Sequence, residues 1–311
     1  MEKSSTKAAW LAQKERGSLW GIRFLAWVLR HAGERVCRLV MIFPVAWFCL
    51  FPGKAGLASA LFLKRARAAG APVPRLFPVC RHFWDFSCSL LEKFAYWTGS
   101  RDTGRVDFPA RGELAAAVAA GQGGLIVGAH YGNLEGMRAL SGSIPGLRMI
   151  VFIEYGHAAK YSAILRQSGA AEPGHCRLVS SAEVNPALAS ELLEHVQSGG
   201  YIILLADRAA PGGGGGRIRE KFLGGEIELP DGPWRLAQLL RCPVWTSFCR
   251  RQAGRHQVQL ERLCGPVARR DGGVAAAEAR RLWLQRLEKL VLEDPLQWYN
   301  FYDFWNETGS S

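Results

Sequence analysis

Residues 113–135 read ELAAAVAAGQGGLIVGAHYGNLE, and their order decides the fold. Glu113 to Ala120 is alanine-rich and helical, and the glycines from Gly121 to Gly124 stop it. Leu125 to Ala129 (LIVGA) is a short strand, apolar on both faces. His130 follows at once, and Asn133 is a suitable N-cap for a helix that begins near Leu134.

The same pattern recurs downstream. Arg148 to Glu154 (RMIVFIE) reads as a strand and Ala158 to Ser168 as a helix. Pro186 to Gln197 is a helix opened by Asn185 and closed by Gly199-Gly200. Tyr201 to Ala206 (YIILLA) is a strand that ends at Asp207. Asp231 to Arg241 is a helix with Pro233 in its first turn. Val244 to Arg250 and Gln257 to Arg262 suit a hairpin across Ala253-Gly254. Val274 to Glu293 is a long final helix with Trp283, Leu287, Leu290 and Val291 on one face. Upstream, Lys54 to Ala69 and Phe77 to Thr98 read as helices. Strands without a polar face, alternating with helices, predict an α/β fold: a central, mostly parallel sheet flanked by helices.

The 311-residue chain is 49% hydrophobic and 21% charged, which excludes a disordered protein. Its net charge of +12 is unevenly placed: Met1 to Arg81 holds 14 basic and 3 acidic residues, while the remainder is nearly neutral. This quarter is also apolar and aromatic. Leu39 to Pro52 (LVMIFPVAWFCLFP) carries no charge, yet only 15 residues separate Arg38 from Lys54. A spanning helix needs about 20, and Pro44 interrupts the run. A buried core helix with solvated flanks is one reading. The basic and aromatic flanks favour the other, a segment lying in an anionic membrane interface. Nucleic acid is not an expected partner, because so much apolar surface does not belong beside a phosphate-binding site. The expected division is a hydrophobic, basic, membrane-associating helical region over residues 1–57 and an α/β domain over 58–311.

Met1 to Lys14 is polar and lacks the apolar core of a cleavable signal peptide. The eight cysteines are scattered without a Cys-x-x-Cys pair. Neither a zinc site nor a disulfide framework is expected, and reduced thiols in a cytoplasmic compartment account for them.

Sites in open α/β sheets sit at the carboxyl ends of strands. Two such ends carry polar groups here: His130, and Asp207-Arg208. Glu135, in the first turn of the next helix, is stabilised as an anion there. It is placed to accept a hydrogen bond from one ring nitrogen of His130, so that the other can take a proton as a general base. The alternative is a capped helix beside a satisfied histidine. No Gly-x-Ser-x-Gly elbow and no nucleotide-binding Gly-x-x-x-x-Gly-Lys-Ser/Thr loop is present. The five glycines from Gly212 to Gly216 read as a flexible surface loop. Followed by Arg217, Arg219 and Lys221, they also suit a basic loop that holds phosphate, as Arg208 does.

Gly128-Ala129-His130-Tyr131-Gly132-Asn133-Leu134-Glu135 resembles the His-x4-Glu block of the lipid A biosynthesis acyltransferases, in the lysophospholipid acyltransferase-like superfamily. Leu204-Leu205-Ala206-Asp207-Arg208 resembles their second block. Lys221-Phe222-Leu223-Gly224-Gly225, then Leu229-Pro230-Asp231-Gly232-Pro233, and Cys242-Pro243-Val244 follow in the family's order. The resemblance implies an O-acyltransferase that moves an acyl chain from an acyl carrier protein or coenzyme A thioester to a lipid hydroxyl. The implied location is the cytoplasmic face of a Gram-negative inner membrane. His130 would be the base and Glu135 its partner, with Asn133, Asp207, Arg208, Arg217, Lys221 and Gly224 on the substrate side. No metal or other cofactor is implied; the thioester is a co-substrate. The implied partners are acyl carrier protein, a lipid acceptor and an anionic membrane.

The chain departs from that family in two places. Tyr131 and Leu134 stand where the lipid A enzymes tend to have phenylalanine and tryptophan. Trp298 to Trp305 (WYNFYDFW) replaces a basic-aromatic ending, and resembles members found alongside aryl polyene and related polyketide-lipid pathways. As a physical object this tail reads as an aromatic plug that completes a core. Two other functions suit the residues: a non-catalytic, basic interfacial membrane-binding protein that retains the fold, and a hydrolase that activates water at the His–Glu pair.

Overall fold

The computed structural model describes residues 19–97, 106–133, 144–153, 176–180, 185–208, 216–252, 255–267 and 273–305. The chain forms two compact units. The first holds Met1–Asp102, Arg219–Glu228 and Glu288–Ser311; the second holds Thr103–Ile218 and Leu229–Leu287. The first unit therefore extends well past residue 57 and takes in two later segments.

The second unit contains a seven-stranded sheet in the order β1-β9-β8-β2-β5-β3-β4. Its strands are β1 (Val106–Asp107), β2 (Gly124–Gly128), β3 (Met149–Ile153), β4 (Cys176–Ser180), β5 (Tyr201–Leu205), β8 (Val244–Gln252) and β9 (Arg255–Cys264). Strands β8, β2, β5, β3 and β4 run parallel, and β9 returns antiparallel to β8. Both faces are covered, since every residue of β2 is buried. On one face Ile126, Tyr201, Ile203, Trp245, Val258 and Leu260 pack with Leu114 of helix α4 (Arg111–Ala119). Helix α5 (Pro186–Gln197) is capped as its sequence requires, the Asn185 side chain accepting from the Leu188 N–H at 2.9 Å. It packs on β5 and on α6 (Gly232–Leu240). Trp234 of α6 lies 5.8 Å, centroid to centroid, from Trp283 of α7 (Val274–Glu293). The fold is thus a mostly parallel α/β sheet flanked by helices.

The hairpin of β6 (Arg217–Phe222) and β7 (Gly225–Pro230) is a separate two-stranded sheet. Its two-residue loop has positive φ at both Leu223 (47°) and Gly224 (73°), the signature of a type I′ turn. The Phe222-Leu223-Gly224-Gly225 stretch is this turn. Glu288 accepts from the Leu223 N–H at 2.6 Å.

In the first unit, α1 (Leu19–Leu50) is broken at Gly33. Its inner face, with Val28, Leu29, Cys37 and Met41, packs on Leu91 of α3 (Pro78–Trp97). Arg38 joins Glu34 at 2.6 Å and reaches Glu92 at 3.8 Å. Ser59 of α2 (Gly53–Ala68) and His82 of α3 form a fully buried pair. The His82 Nε2–H donates to the Trp298 carbonyl at 2.9 Å, so Nδ1 accepts from the Ser59 hydroxyl at 2.8 Å. Burial pushes His82 down to about 4, against the pull of its bond to Trp298. The aromatic tail closes this core: Trp298, Phe304 and Trp305 surround Phe222, and the Trp305 indole N–H donates to the Phe222 carbonyl at 3.2 Å. The tail is a packed plug. Phe62 meets Trp298 edge-on at 4.9 Å, and the Arg65 guanidinium lies 5.1 Å from the Trp305 ring centre.

Candidate active site

The site in the second unit follows from strand register. In the parallel pair β2–β5, Gly128 stands opposite Leu205, and the Ala206 N–H donates to the Gly128 carbonyl at 3.0 Å. Each strand then continues through a fully buried alanine, Ala129 or Ala206. The next residue on each is polar: His130 on one, Asp207 on the other. Neighbouring parallel strands in register thus bring two residues 77 positions apart to the same sheet end.

They meet twice. The His130 backbone N–H donates to Asp207 Oδ2 at 3.0 Å, and His130 Nδ1 lies 2.8 Å from Asp207 Oδ1. A carboxylate only accepts, so Nδ1 carries the proton and proton exchange with a substrate falls to Nε2. Asp207 is 2% exposed while the His130 side chain is 30% exposed, so the carboxylate is shielded and the imidazole is within reach of solvent. Burial by itself would push the Asp207 carboxyl up. The His130 charge and hydrogen bonds, with the charge of Arg208, outweigh burial and hold it at about 2. Asp207 is therefore ionised at any physiological pH.

The loop beyond His130 is clamped to the other neighbour of β2. Gly132 bridges to Cys249 of β8, and the Asn133 N–H donates to the Cys249 carbonyl at 2.9 Å. Gly132 has φ +68°, and a Cβ there would stand 1.9 Å from the Cys249 carbonyl oxygen. Only glycine fits. Tyr131 is fully buried and meets Phe248 edge-on, with centroids 6.3 Å apart. The residues that surround His130 in sequence are thus a rigid mount for its ring.

The sequence-derived candidates divide by place. His130, Asp207 and Arg208 come together, and Asn133 lies buried on the clamped loop. Asp207, read from sequence as a substrate-side residue, is hydrogen-bonded to Nδ1 of His130. Glu135 and the helix expected after Asn133 lie outside the described residues, as do the expected helix over residues 158–168 and most of the five-glycine run. Arg217 is exposed at the start of β6 in the second unit. Lys221 and Gly224 belong to the first unit, where Lys221 is exposed and Gly224 makes the hairpin turn. Among the described residues, no group of three His, Cys, Asp or Glu side chains is placed to hold a metal ion.

The fold and the site define an α/β protein with a histidine–carboxylate dyad at the carboxyl ends of adjacent parallel strands. Comparison with models of known protein families finds no match, and comparison with curated proteins finds none either.

Proposed function

We propose that this protein is a membrane-associated O-acyltransferase of the lipid A acyltransferase type. It moves an acyl chain from a carrier-bound thioester to a hydroxyl of a lipid acceptor at the cytoplasmic face of an inner membrane. One observation carries the proposal: a solvent-reachable imidazole whose Nδ1 is fixed on a buried, ionised aspartate. The ordered sequence blocks around it add support.

A thioester is already activated, so the acceptor hydroxyl needs only orientation and removal of its proton. His130 Nε2 takes that proton as the oxygen attacks the thioester carbonyl carbon. The C–O bond forms, the C–S bond breaks, and the proton passes from His130 to the departing thiolate. Asp207 keeps the ring in the Nδ1–H tautomer and stabilises the imidazolium that forms between the two transfers. Arg208 is the cation beside the dyad and suits a phosphate of the substrate or the forming oxyanion.

The experiment combines purified protein, acyl carrier proteins loaded with chains of several lengths, and a membrane lipid extract, with product esters read by mass spectrometry. A new acyl ester that His130→Ala loses by about 10²–10⁴-fold supports the proposal. Release of free fatty acid without any ester would identify a hydrolase and refute it.

A further inference from the structure

The first unit leaves a large apolar surface uncovered. From Leu39 to Leu50, α1 is apolar on every face, the pattern of a helix that is enclosed on all sides. Its inner face is enclosed, because Met41 and Cys37 pack on Leu91. Its outer face is not: Leu39, Phe43, Trp47 and Leu50 are all exposed, Leu50 by 73%.

At the end of α1 this surface comes to a point. The chain bends by 83° between α1 and α2, across Phe51 and Pro52. The start of α3 meets the same bend: Phe48 lies 5.7 Å from Phe83, and Cys49 is a neighbour of Cys80. Immediately before α3 stand Leu76 and Phe77, 67% and 75% exposed. Phe77 has φ +51°, a conformation that bulky residues rarely adopt. Six large apolar side chains therefore crowd one corner: Trp47, Leu50, Phe51, Leu57, Leu76 and Phe77.

The charge around the corner selects its occupant. Residues 19–81 contain ten basic residues and one acidic residue, Glu34, which is paired with Arg38. Lys54, Arg75 and Arg81, next to the corner in sequence, are exposed. No single helix among the described residues is long and apolar enough to cross a membrane. We infer that this corner inserts into one leaflet of an anionic bilayer, its six apolar side chains among the acyl chains and Lys54, Arg75 and Arg81 on the headgroup phosphates. The inference rests on the membrane part of the proposed function and is independent of acyl transfer.

The test is co-sedimentation of the full-length protein with vesicles of phosphatidylcholine, with and without phosphatidylglycerol. Two double variants are compared: Leu76→Ser/Phe77→Asn, in which asparagine tolerates the positive φ, and Trp47→Ser/Leu50→Ser. Val274→Ser, an exposed apolar site in the second unit, is the control. Circular dichroism establishes that each variant is folded. Wild type and control should bind the anionic vesicles. When phosphatidylglycerol is left out, binding should weaken about fivefold for each basic side chain deprived of an anionic headgroup. Each double variant should partition at least about a hundredfold more weakly, the value of removing two large apolar side chains from lipid. If wild type binds and both folded double variants bind equally well, the corner is refuted while membrane attachment stands. If wild type binds no vesicle, corner and attachment are both refuted. Dimers in the ultracentrifuge that the double variants fail to form would then assign the surface to a second copy of the chain.

Discussion

Replacing Asp207 by asparagine keeps the shape of the side chain and removes its charge. In the wild type the carboxyl sits at about 2 rather than 3.8, although burial alone would have raised it. At about 1.4 kcal/mol per factor of ten, that displacement is on the order of 2 kcal/mol, what remains of the attraction of His130 and Arg208 after the opposing effect of burial. The His130 share of that attraction stabilises the imidazolium that forms when His130 takes a proton, because the coupling between two sites is reciprocal. Asp207→Asn should therefore lower kcat/KM by about tenfold to a hundredfold. The acid limb of the pH–rate profile should move to lower pH, because the protonated ring no longer has its counter-charge. Proton NMR provides a readout that needs no substrate: the His130 Nδ1–H resonance, shielded from exchange by the buried carboxylate, should be sharp in the wild type and disappear or shift upfield in the variant. Melting temperature is measured on the same sample. A folded variant with an unchanged acid limb and an unchanged Nδ1–H signal would refute the role given to Asp207.

The buried histidine of the first unit makes stability depend on pH. His82 titrates at about 4 in the fold against 6.5 when unfolded, so the unfolded chain binds more protons between those values. Stability should be complete above about pH 6.5 and fall by up to about 3 kcal/mol as pH drops toward 4. Urea unfolding across this range should show the slope in wild type, and a His82→Gln variant should flatten it. Ser59→Ala leaves the buried His82 Nδ1 without its donor and should cost about 1–3 kcal/mol in the same assay at neutral pH. Gly132→Ala forces a Cβ against the Cys249 carbonyl at a positive φ and should destabilise by about 2 kcal/mol or more, seen as a lower denaturation midpoint.

Attachment cannot be tested cleanly by removing the N-terminal region. Val28, Leu29, Cys37 and Met41 of α1 are core residues of the first unit, and deleting them would strip α3 of its cover. Substitution of the exposed side chains separates attachment from folding.

Local chemistry is legible in the sequence wherever a segment answers to its own pattern. The final helix, Val274–Glu293, and the Asn185-capped helix Pro186–Gln197 stand where periodicity and capping residues place them. The strands LIVGA and YIILLA are buried because they have no polar face to expose. The basic, apolar character of the N-terminal quarter is likewise a property of composition. What depends on partners distant in the chain is not legible. The β6–β7 hairpin is hidden because β6 sets Arg217, Arg219 and Lys221 against Ile218, Glu220 and Phe222, so that a charge stands on its inner side as well, and its turn places leucine where asparagine would announce a type I′ turn. Strand β4, five residues with an arginine inside, is defined only by pairing with β3. The dyad shows the division most plainly. The sequence reading offers His130 as a candidate base and Glu135, five residues away, as its candidate partner. Asp207, 77 residues away, becomes its partner only because tertiary folding sets β5 beside β2 in a register that opposes Leu205 to Gly128. Local sequence determines what each strand end carries; which ends meet is decided by the order and register of the sheet, and those are set by packing over the whole unit.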